Sequence, residues 1–238
     1  MADRFLDAAD AERADRTLRK LRRHEISGWA LAGGLALEIQ CAGDGAPARR
    51  LNDIDLVAPG FEAIPRTLAA DFLMRHVHPL DPPGKTILQM VDAETAVRID
   101  VFGAYGGILA RTREVDLPWG RMPVVSREDM LARGARLLMD LRQGIPTEAK
   151  HAQDYLRLAH RMRAAEVEAA WQDHRKRDHP ATFDEANRLV AGLMETRGEA
   201  LVAPEYSRDA AKVCARCVDT EGFPLADRRV VLAVLGYC

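Results

Sequence analysis

Short apolar runs and the alternation of apolar with polar residues predict strands in the first half of the chain. The stretch "GWALAGGLALEIQ" predicts a buried strand over residues 29–32, a sharp turn at Gly33-Gly34 and a helix that begins with "LALEI". "DIDLV" predicts a second strand. "TILQMV" and "AVRIDVF" predict the two strands of a hairpin with "DAET" as its turn. "MPVV", residues 122–125, predicts one more short strand.

Helical spacing of apolar residues dominates the rest of the chain. The further predicted helices cover residues 3–24, 61–73, 127–142, 147–164, 183–196, 207–218 and 226–235. Ser126 followed by Asp129 has the pattern of a capped helix start. We therefore predict an α+β fold. A small mixed sheet with flanking helices forms a domain over residues 1–125, and a C-terminal helical domain covers residues 126–238.

Composition and charge exclude some broad classes of protein. The chain has 238 residues, of which 47% are hydrophobic and 29% are charged, as is usual for globular proteins. Its formal net charge of −2 argues against wholesale, non-specific binding of nucleic acid. This charge does not exclude a local basic patch, for which "RTLRKLRR" is the candidate. That run is either a solvated helix face or a contact for a phosphate backbone.

The sequence also bears on targeting and on metal-binding motifs. We find no apolar signal-peptide region and no apolar run near the roughly 18 residues of a membrane span, so we expect a cytoplasmic protein without a membrane partner.

Cys214 and Cys217 form a single CxxC, which is either a zinc ligand pair or two ordinary thiols. His76 and His78 have HxH spacing, which fits either a metal site or a partly exposed strand.

Two aspartates in the "DIDLV" strand indicate where the chemistry lies. Asp53 and Asp55 are two positions apart, so they point to the same face of a strand, where their charges repel. A bound cation would offset this repulsion, and a divalent metal is the obvious candidate. In the later strand, Asp100 shares a face with Arg98 and Phe102.

These features follow one another in a recognisable order. A glycine turn opens a helix, a D-x-D strand follows, and a third carboxylate comes later: Gly33-Gly34, Asp53-x-Asp55 and Asp100. This order resembles the nucleotidyltransferase superfamily, which has the polymerase-β-like fold. The resemblance continues to "KHAQD", which begins at Lys150 and is similar to a K-H-x-x-D helix start in many members. It spans about residues 26–160. Its layout is nearest to abortive-infection toxin-like and other minor nucleotidyltransferases.

The resemblance implies an activity and a site. Members transfer a nucleoside monophosphate from an NTP to an acceptor hydroxyl and release pyrophosphate. Two Mg²⁺ ions would be held by Asp53, Asp55 and Asp100, and Asp100 would also act as general base. The backbone of Gly33 and Gly34 would cradle the β- and γ-phosphates. The acceptor would be an RNA end such as that of tRNA, a small molecule such as an antibiotic, or a protein.

Further residues fit the family pattern less fully. Arg49 occupies the arginine position of the "R-x-[TS]-x-D-I-D" pattern, but Leu51 replaces its hydroxyl residue. The loop "CAGDGAPARR" also makes the spacing before the D-x-D longer than usual. Arg49 and Arg50 either bind phosphate or keep this loop soluble. Lys150 is either a contact for the triphosphate or a solvated residue of a first helical turn.

A second hypothesis keeps the same fold without catalysis. The chain would then be a nucleotide-binding or interaction protein of toxin–antitoxin type. In a purely structural interpretation, Asp53 would cap a turn and Asp100 would pair with Arg98. Retention of all three carboxylates and the large helical half favour the enzyme.

Overall fold

The computed structural model describes residues 6–45, 50–77, 84–160 and 163–203. These form two compact units. The first contains described residues up to 105 and residues 112–124, and the second contains residues 106–111 and the described residues from 125 onward. The predicted division of the chain between residues 125 and 126 stays a prediction.

The first unit is built on a mixed sheet with helices beside it. Its helices are α1 (Ala8–Leu21), α2 (Gly33–Gln40) and α3 (Leu68–Asp71). Its strands are β1 (Ala30–Ala32), β2 (Asp53–Ala58), β3 (Leu73–Val77), β4 (Thr86–Asp92), β5 (Val97–Gly103), β6 (Arg113–Leu117) and β7 (Gly120–Val124). The strand order is β3-β4-β5-β2-β1-β7-β6. Because β2 runs parallel to β5 but antiparallel to β1, the sheet is mixed, which confirms the predicted fold class.

The apolar residues of the central strands form the core of this unit. Ile54 and Leu56 on β2, Ile99 and Val101 on β5, and Met90 on β4 have no exposed surface. Full burial of such a side chain contributes about 1.5–3 kcal/mol. The alternate positions of β2 and β5 are therefore fixed on the opposite face of the sheet, and these are the positions that carry the charged residues.

Helix α1 confirms the first predicted helix and explains most of the basic run. It begins after Asp7, whose side chain accepts a hydrogen bond from the Asp10 amide, and it buries Ala14, Leu18 and Leu21. Four cations of the run contact groups within the first unit: Arg16 with Glu94, Arg19 with Asp15 and the Pro118 carbonyl, Lys20 with Asp92, and Arg22 with the Trp119 carbonyl. These contacts favour a structural role over binding to a phosphate backbone.

The helix predicted over residues 61–73 is wrong. Only a 3₁₀ turn over Phe61–Ala63 and the short helix α3 form there, and β3 begins at Leu73. Pro65 explains the break, because a proline disfavours helical backbone at the residue before it, and Ile64 is extended. The chain then pairs with β4 as a strand at the sheet edge.

The second unit is helical. It contains α4 (Arg127–Leu138), α5 (Ala149–Ala159), α6 (Ala164–His174), α7 (Phe183–Thr196) and a parallel strand pair, β8 (Thr147–Glu148) and β9 (Leu201–Val202). Ser126 caps α4 as predicted, because its side chain accepts a hydrogen bond from the Asp129 amide. The helix predicted over residues 147–164 is instead β8 followed by α5, whereas α7 matches its prediction. The helices predicted over residues 207–218 and 226–235, with Cys214 and Cys217, lie outside the described residues.

None of the helices in the described part of the chain has both the length and the apolar character needed to cross a bilayer.

Candidate functional site

The pairing of β2 with β5 brings the three predicted carboxylates together. The parallel register places Asp55 beside Asp100, and Asp53 beside Arg98. One oxygen from each of Asp53, Asp55 and Asp100 lies within 4.8 Å of the other two. A donor set of carboxylate oxygens alone suits a hard divalent cation such as Mg²⁺.

Gly33 lies directly against this cluster. It follows β1, in which Ala32 pairs with Asp55. Its φ of +58° is in the left-handed region, and a Cβ added there would lie 1.7 Å from Asp55 Oδ2. Only glycine fits both the backbone conformation and the space. The start of α2 is thereby held next to the Asp55 carboxylate.

The first turn of α2 is suited to an anion. Its N-cap residue, Ala32, provides no side-chain acceptor for the first-turn amides, and that turn, which includes Gly34, contains no acidic residue. The partial positive charge of a helix N-terminus favours a carboxylate or phosphate nearby. Gly33 and Gly34 are thus placed as the sequence predicts, and their contact with phosphate stays a prediction.

Arg98 joins two of the three carboxylates. Its guanidinium donates a hydrogen bond to Asp53 Oδ2, and its Nε donates to Asp100 Oδ2 at 3.1 Å. The Arg98 side chain is only 7% exposed. Burial opposes its charge, but the nearby carboxylates of Asp100, Asp53 and Asp55 outweigh this effect and raise the pKa of Arg98. The Asp100–Arg98 pair of the structural interpretation is therefore present.

Gln89 holds the other oxygen of Asp100. It lies opposite Asp100 in the β4–β5 pairing, and its Nε2 donates to Asp100 Oδ1 at 2.8 Å. Burial raises the pKa of Asp100, and the charge of Asp53 raises it further. The charge of Arg98 and the hydrogen bonds from Gln89 and Arg98 lower it without cancelling the rise. Asp100 is thus a firmly positioned carboxyl group with more basic character than an ordinary aspartate.

The sequence did not predict Gln89 as a site residue, because the predicted hairpin turn gave the wrong register between β4 and β5. The predicted "DAET" turn would place Gln89 opposite Arg98. The observed turn lies one residue later, with Ala96 at a φ of +54°, and this moves Gln89 opposite Asp100.

Other predicted residues lie outside this cluster or outside the described residues. Lys150 belongs to the second unit, in the first turn of α5, where its Nζ lies 2.6 Å from Glu148 Oε2. Its contact with a triphosphate stays a prediction. Arg49, His78 and the side chain of His76 lie outside the described residues.

Comparison with models of known protein families gives no match, and comparison with curated proteins gives none either. Among solved structures, the fold is similar to the crystal structure of an antigenic nucleotidyltransferase-like protein from Paracoccidioides brasiliensis. The TM-score is 0.49 and the sequence identity is 15%, over 82% of this chain and 96% of that chain. A similarity of this size does not assign a function. The function is therefore inferred from the carboxylates, Gly33 and Arg98 themselves.

Proposed function

We propose that this chain is a Mg²⁺-dependent nucleotidyltransferase of the polymerase-β-like superfamily. It would move a nucleoside monophosphate from an NTP to an acceptor hydroxyl. The observation that carries this proposal is the meeting of a glycine-initiated helix with three carboxylates on two adjacent strands. A structural core needs neither a glycine pressed against a carboxylate nor three acidic groups in one place.

The donor set supports a metal at this site. Asp53, Asp55 and Asp100 would hold the metal, and their oxygens are close enough to share it. When bound, two divalent ions supply charge neutralisation for the attacking and leaving oxygens of an in-line phosphoryl displacement. We expect Mg²⁺ because it prefers oxygen ligands and readily shares its coordination with substrate phosphates.

Groups of the chain itself would accept the proton and orient the phosphates. The acceptor oxygen would form a bond to the α-phosphorus as the bond to pyrophosphate breaks, and Asp100 would accept the proton of the acceptor hydroxyl. The hydrogen bond from Gln89 to Asp100 Oδ1 would hold the carboxylate in place for this task. The amides of Gly33 and Gly34 would orient the β- and γ-phosphates. Arg49 is proposed as a further contact for the triphosphate, whereas Lys150 belongs to the second unit and its contact stays a prediction from the sequence.

The proposal allows three classes of acceptor: an RNA end such as that of tRNA, a small molecule such as an antibiotic, and a protein. The layout resembles that of abortive-infection toxin-like members. The contacts that α1 makes within the first unit reduce the support for RNA, because its basic run is largely engaged.

The proposal is tested by label transfer. The chain would be incubated with Mg²⁺ and each of the four NTPs, labelled at the α-phosphate, together with small RNAs, cell-extract protein or pooled antibiotics. We expect label in one acceptor class. An Asp53→Asn/Asp55→Asn double variant should lose at least about a hundredfold in rate, since it removes several kcal/mol of stabilisation.

A matched control is Asp116→Asn, which removes an exposed strand carboxylate of the same unit and should keep wild-type activity. Circular dichroism would confirm that each variant is folded. A double variant with full activity would overturn the assignment of the metal ligands.

The second candidate is a non-catalytic nucleotide-binding protein of toxin–antitoxin type on the same fold. The specific observation in its favour is that Arg98 forms ion pairs with Asp53 and Asp100. These pairs by themselves neutralise part of the negative charge of the two carboxylates. A folded wild-type protein that binds NTP and transfers no label to any acceptor would favour this candidate.

A further inference from the structure

We infer that Arg98 is a resident counter-ion that competes with the divalent metal for Asp53 and Asp100. Metal binding and the release of Asp53 and Asp100 by Arg98 are then one coupled event. The inference rests on the metal site of the proposed function and adds a residue that controls access to it.

The strand geometry places Arg98 where it can compete. Arg98 is the direct neighbour of Asp53 in the parallel β2–β5 pairing, and it precedes Asp100 by two positions on the same face of β5. Its planar guanidinium therefore reaches both carboxylates at once. On each of them it contacts the Oδ2 atom.

The charge of the cluster explains why a resident cation is needed. Three carboxylates within 4.8 Å of one another carry a formal charge of −3, and Arg98 reduces it to −2. Arg98 is nearly buried, so water screens these interactions less than at an exposed site. Without metal, Arg98 thus stabilises an arrangement that would otherwise repel itself.

The same contacts oppose metal binding. A metal held by Asp53 and Asp100 would lie next to the guanidinium, and the two positive charges would repel. Metal binding would therefore require the Arg98 side chain to turn away from the carboxylates, whereas Gln89 would keep Asp100 in place through its other oxygen. Metal binding through Asp53 and Asp100 would therefore require the ion pairs of Arg98 with both carboxylates to break.

The test measures metal binding directly. Mn²⁺ serves as the probe, titrated by calorimetry into the wild type, Arg98→Gln and Arg98→Lys. We expect Arg98→Gln to bind Mn²⁺ at least about tenfold more tightly, because the competing charge is gone. Its thermal midpoint without metal should fall below that of the wild type, and Mn²⁺ should raise it by more than in the wild type.

The matched control is Arg121→Gln, which removes the same charge from an exposed position on β7 and should leave Mn²⁺ affinity unchanged. If Arg98→Gln does not fold, Arg98→Lys carries the test. Its ammonium cannot span both carboxylates as the guanidinium fork does, so Mn²⁺ should bind several-fold more tightly than in the wild type.

Unchanged or weaker Mn²⁺ affinity in the Arg98 variants, or no Mn²⁺ bound by any of the proteins, would overturn the inference. Label transfer separates this inference from the proposed function. Transfer by the wild type with unchanged Mn²⁺ affinity in Arg98→Gln would overturn the role of Arg98 alone. Tighter Mn²⁺ binding in Arg98→Gln without transfer by the wild type would overturn the proposed enzyme alone.

Discussion

At the scale of single residues, the candidate site depends on the missing side chain of Gly33. The Asp55 carboxylate fills the space that a Cβ would occupy, and the backbone at Gly33 is left-handed. Two separate costs therefore oppose any substitution there. One is conformational, and the other is a collision with a proposed metal ligand.

We predict that Gly33→Ala destabilises the first unit and weakens metal binding. The left-handed backbone alone costs about 1–2 kcal/mol for alanine. In addition, the added methyl group must displace Asp55, so Mn²⁺ affinity should fall at least about tenfold. Urea unfolding and Mn²⁺ titration measure the two effects.

Gly43→Ala is the control for this substitution. Gly43 also has a left-handed φ, of +87°, but nothing lies within 4 Å of an added Cβ. This variant should show the conformational cost alone and keep wild-type affinity for Mn²⁺. Equal affinities in the Gly33 and Gly43 variants would contradict the importance of the close approach to Asp55.

At the scale of elements, a buried polar contact joins α1 to the β4–β5 hairpin. Asp92, at the end of β4, has no exposed surface. Lys20 Nζ donates to its Oδ1 at 2.8 Å and Thr17 Oγ1 donates to its Oδ2 at 3.0 Å. Arg13 adds hydrogen bonds to the carbonyls of Thr95 and Ala96 in the hairpin turn. The helix is thus fixed against the hairpin that carries Asp100.

We predict that Lys20→Ala lowers the free energy of unfolding by about 3–5 kcal/mol, because it leaves Asp92 buried with an uncompensated charge. The control is Arg16→Ala, which breaks a 3.5 Å pair with Glu94 in which both side chains are more than half exposed. That change should cost about 0–1 kcal/mol. Similar losses in the two variants, measured by urea unfolding, would rule out a special role for the buried pair.

The elements that the sequence predicted well have strong local patterns. β4, β5 and α7 match their predictions because an apolar run in β4, alternation in β5 and helical spacing in α7 extend over most of each element. β6 was missed because "REVDL" contains three charged residues among its five and, at the sheet edge, fully buries only Leu117. The helix predicted over residues 61–73 failed because Pro65 and the pairing of β3 with β4 outweighed the local spacing.

The candidate site also combines features that local sequence patterns predict with one contact that they do not predict. Sequence order alone identified the three aspartates and the glycine turn. Alternation put Arg98 on the face of Asp100, but its contact with Asp53 depends on the β2–β5 register, which joins segments some 45 residues apart in sequence. A register of this kind is fixed by tertiary packing, so local patterns do not predict it.

At the scale of the whole molecule, the second unit has a buried polar cluster of its own. Asp129, fully buried, accepts hydrogen bonds from Ser126 and from Arg111. Arg111 also pairs with Asp173, which helps to fix residues 106–111 in this unit. His174 Nε2 lies 3.3 Å from Asp129 Oδ1. The cluster ties α4 to α6 by charge as well as by apolar packing.

This cluster predicts that stability falls in acid. Burial lowers the pKa of His174 below 6.5, despite the opposing effect of Asp129. Burial raises the pKa of Asp129, but its hydrogen bonds with His174, Arg111 and Ser126 outweigh burial and lower it. Both groups then bind fewer protons in the folded state than in the unfolded state. Stability is therefore lost as the pH falls, first below 6.5 through His174 and then below 3.8 through Asp129.

Urea midpoints at about pH 7.5 and about pH 5 test this prediction, and we expect the lower midpoint at about pH 5. His174→Gln keeps a donor for Asp129 but does not titrate, so the drop should become smaller. Some of it should persist, because the pKa values of His151 and His179 are also lowered. A drop of unchanged size in the variant would exclude His174 as a cause.

The position of β2 has a consequence for how the first unit opens. In the described sheet β2 is the middle strand, with three strands on either side. Sheets fray from their edges, and interior strands separate only in the largest, rarest openings. The amide hydrogens of β2 and β5 should therefore be among the last of the unit to exchange with solvent. Asp53, Asp55 and Asp100 lie on these two strands, so the proposed movement of Arg98 would not require the backbone beneath the carboxylates to open.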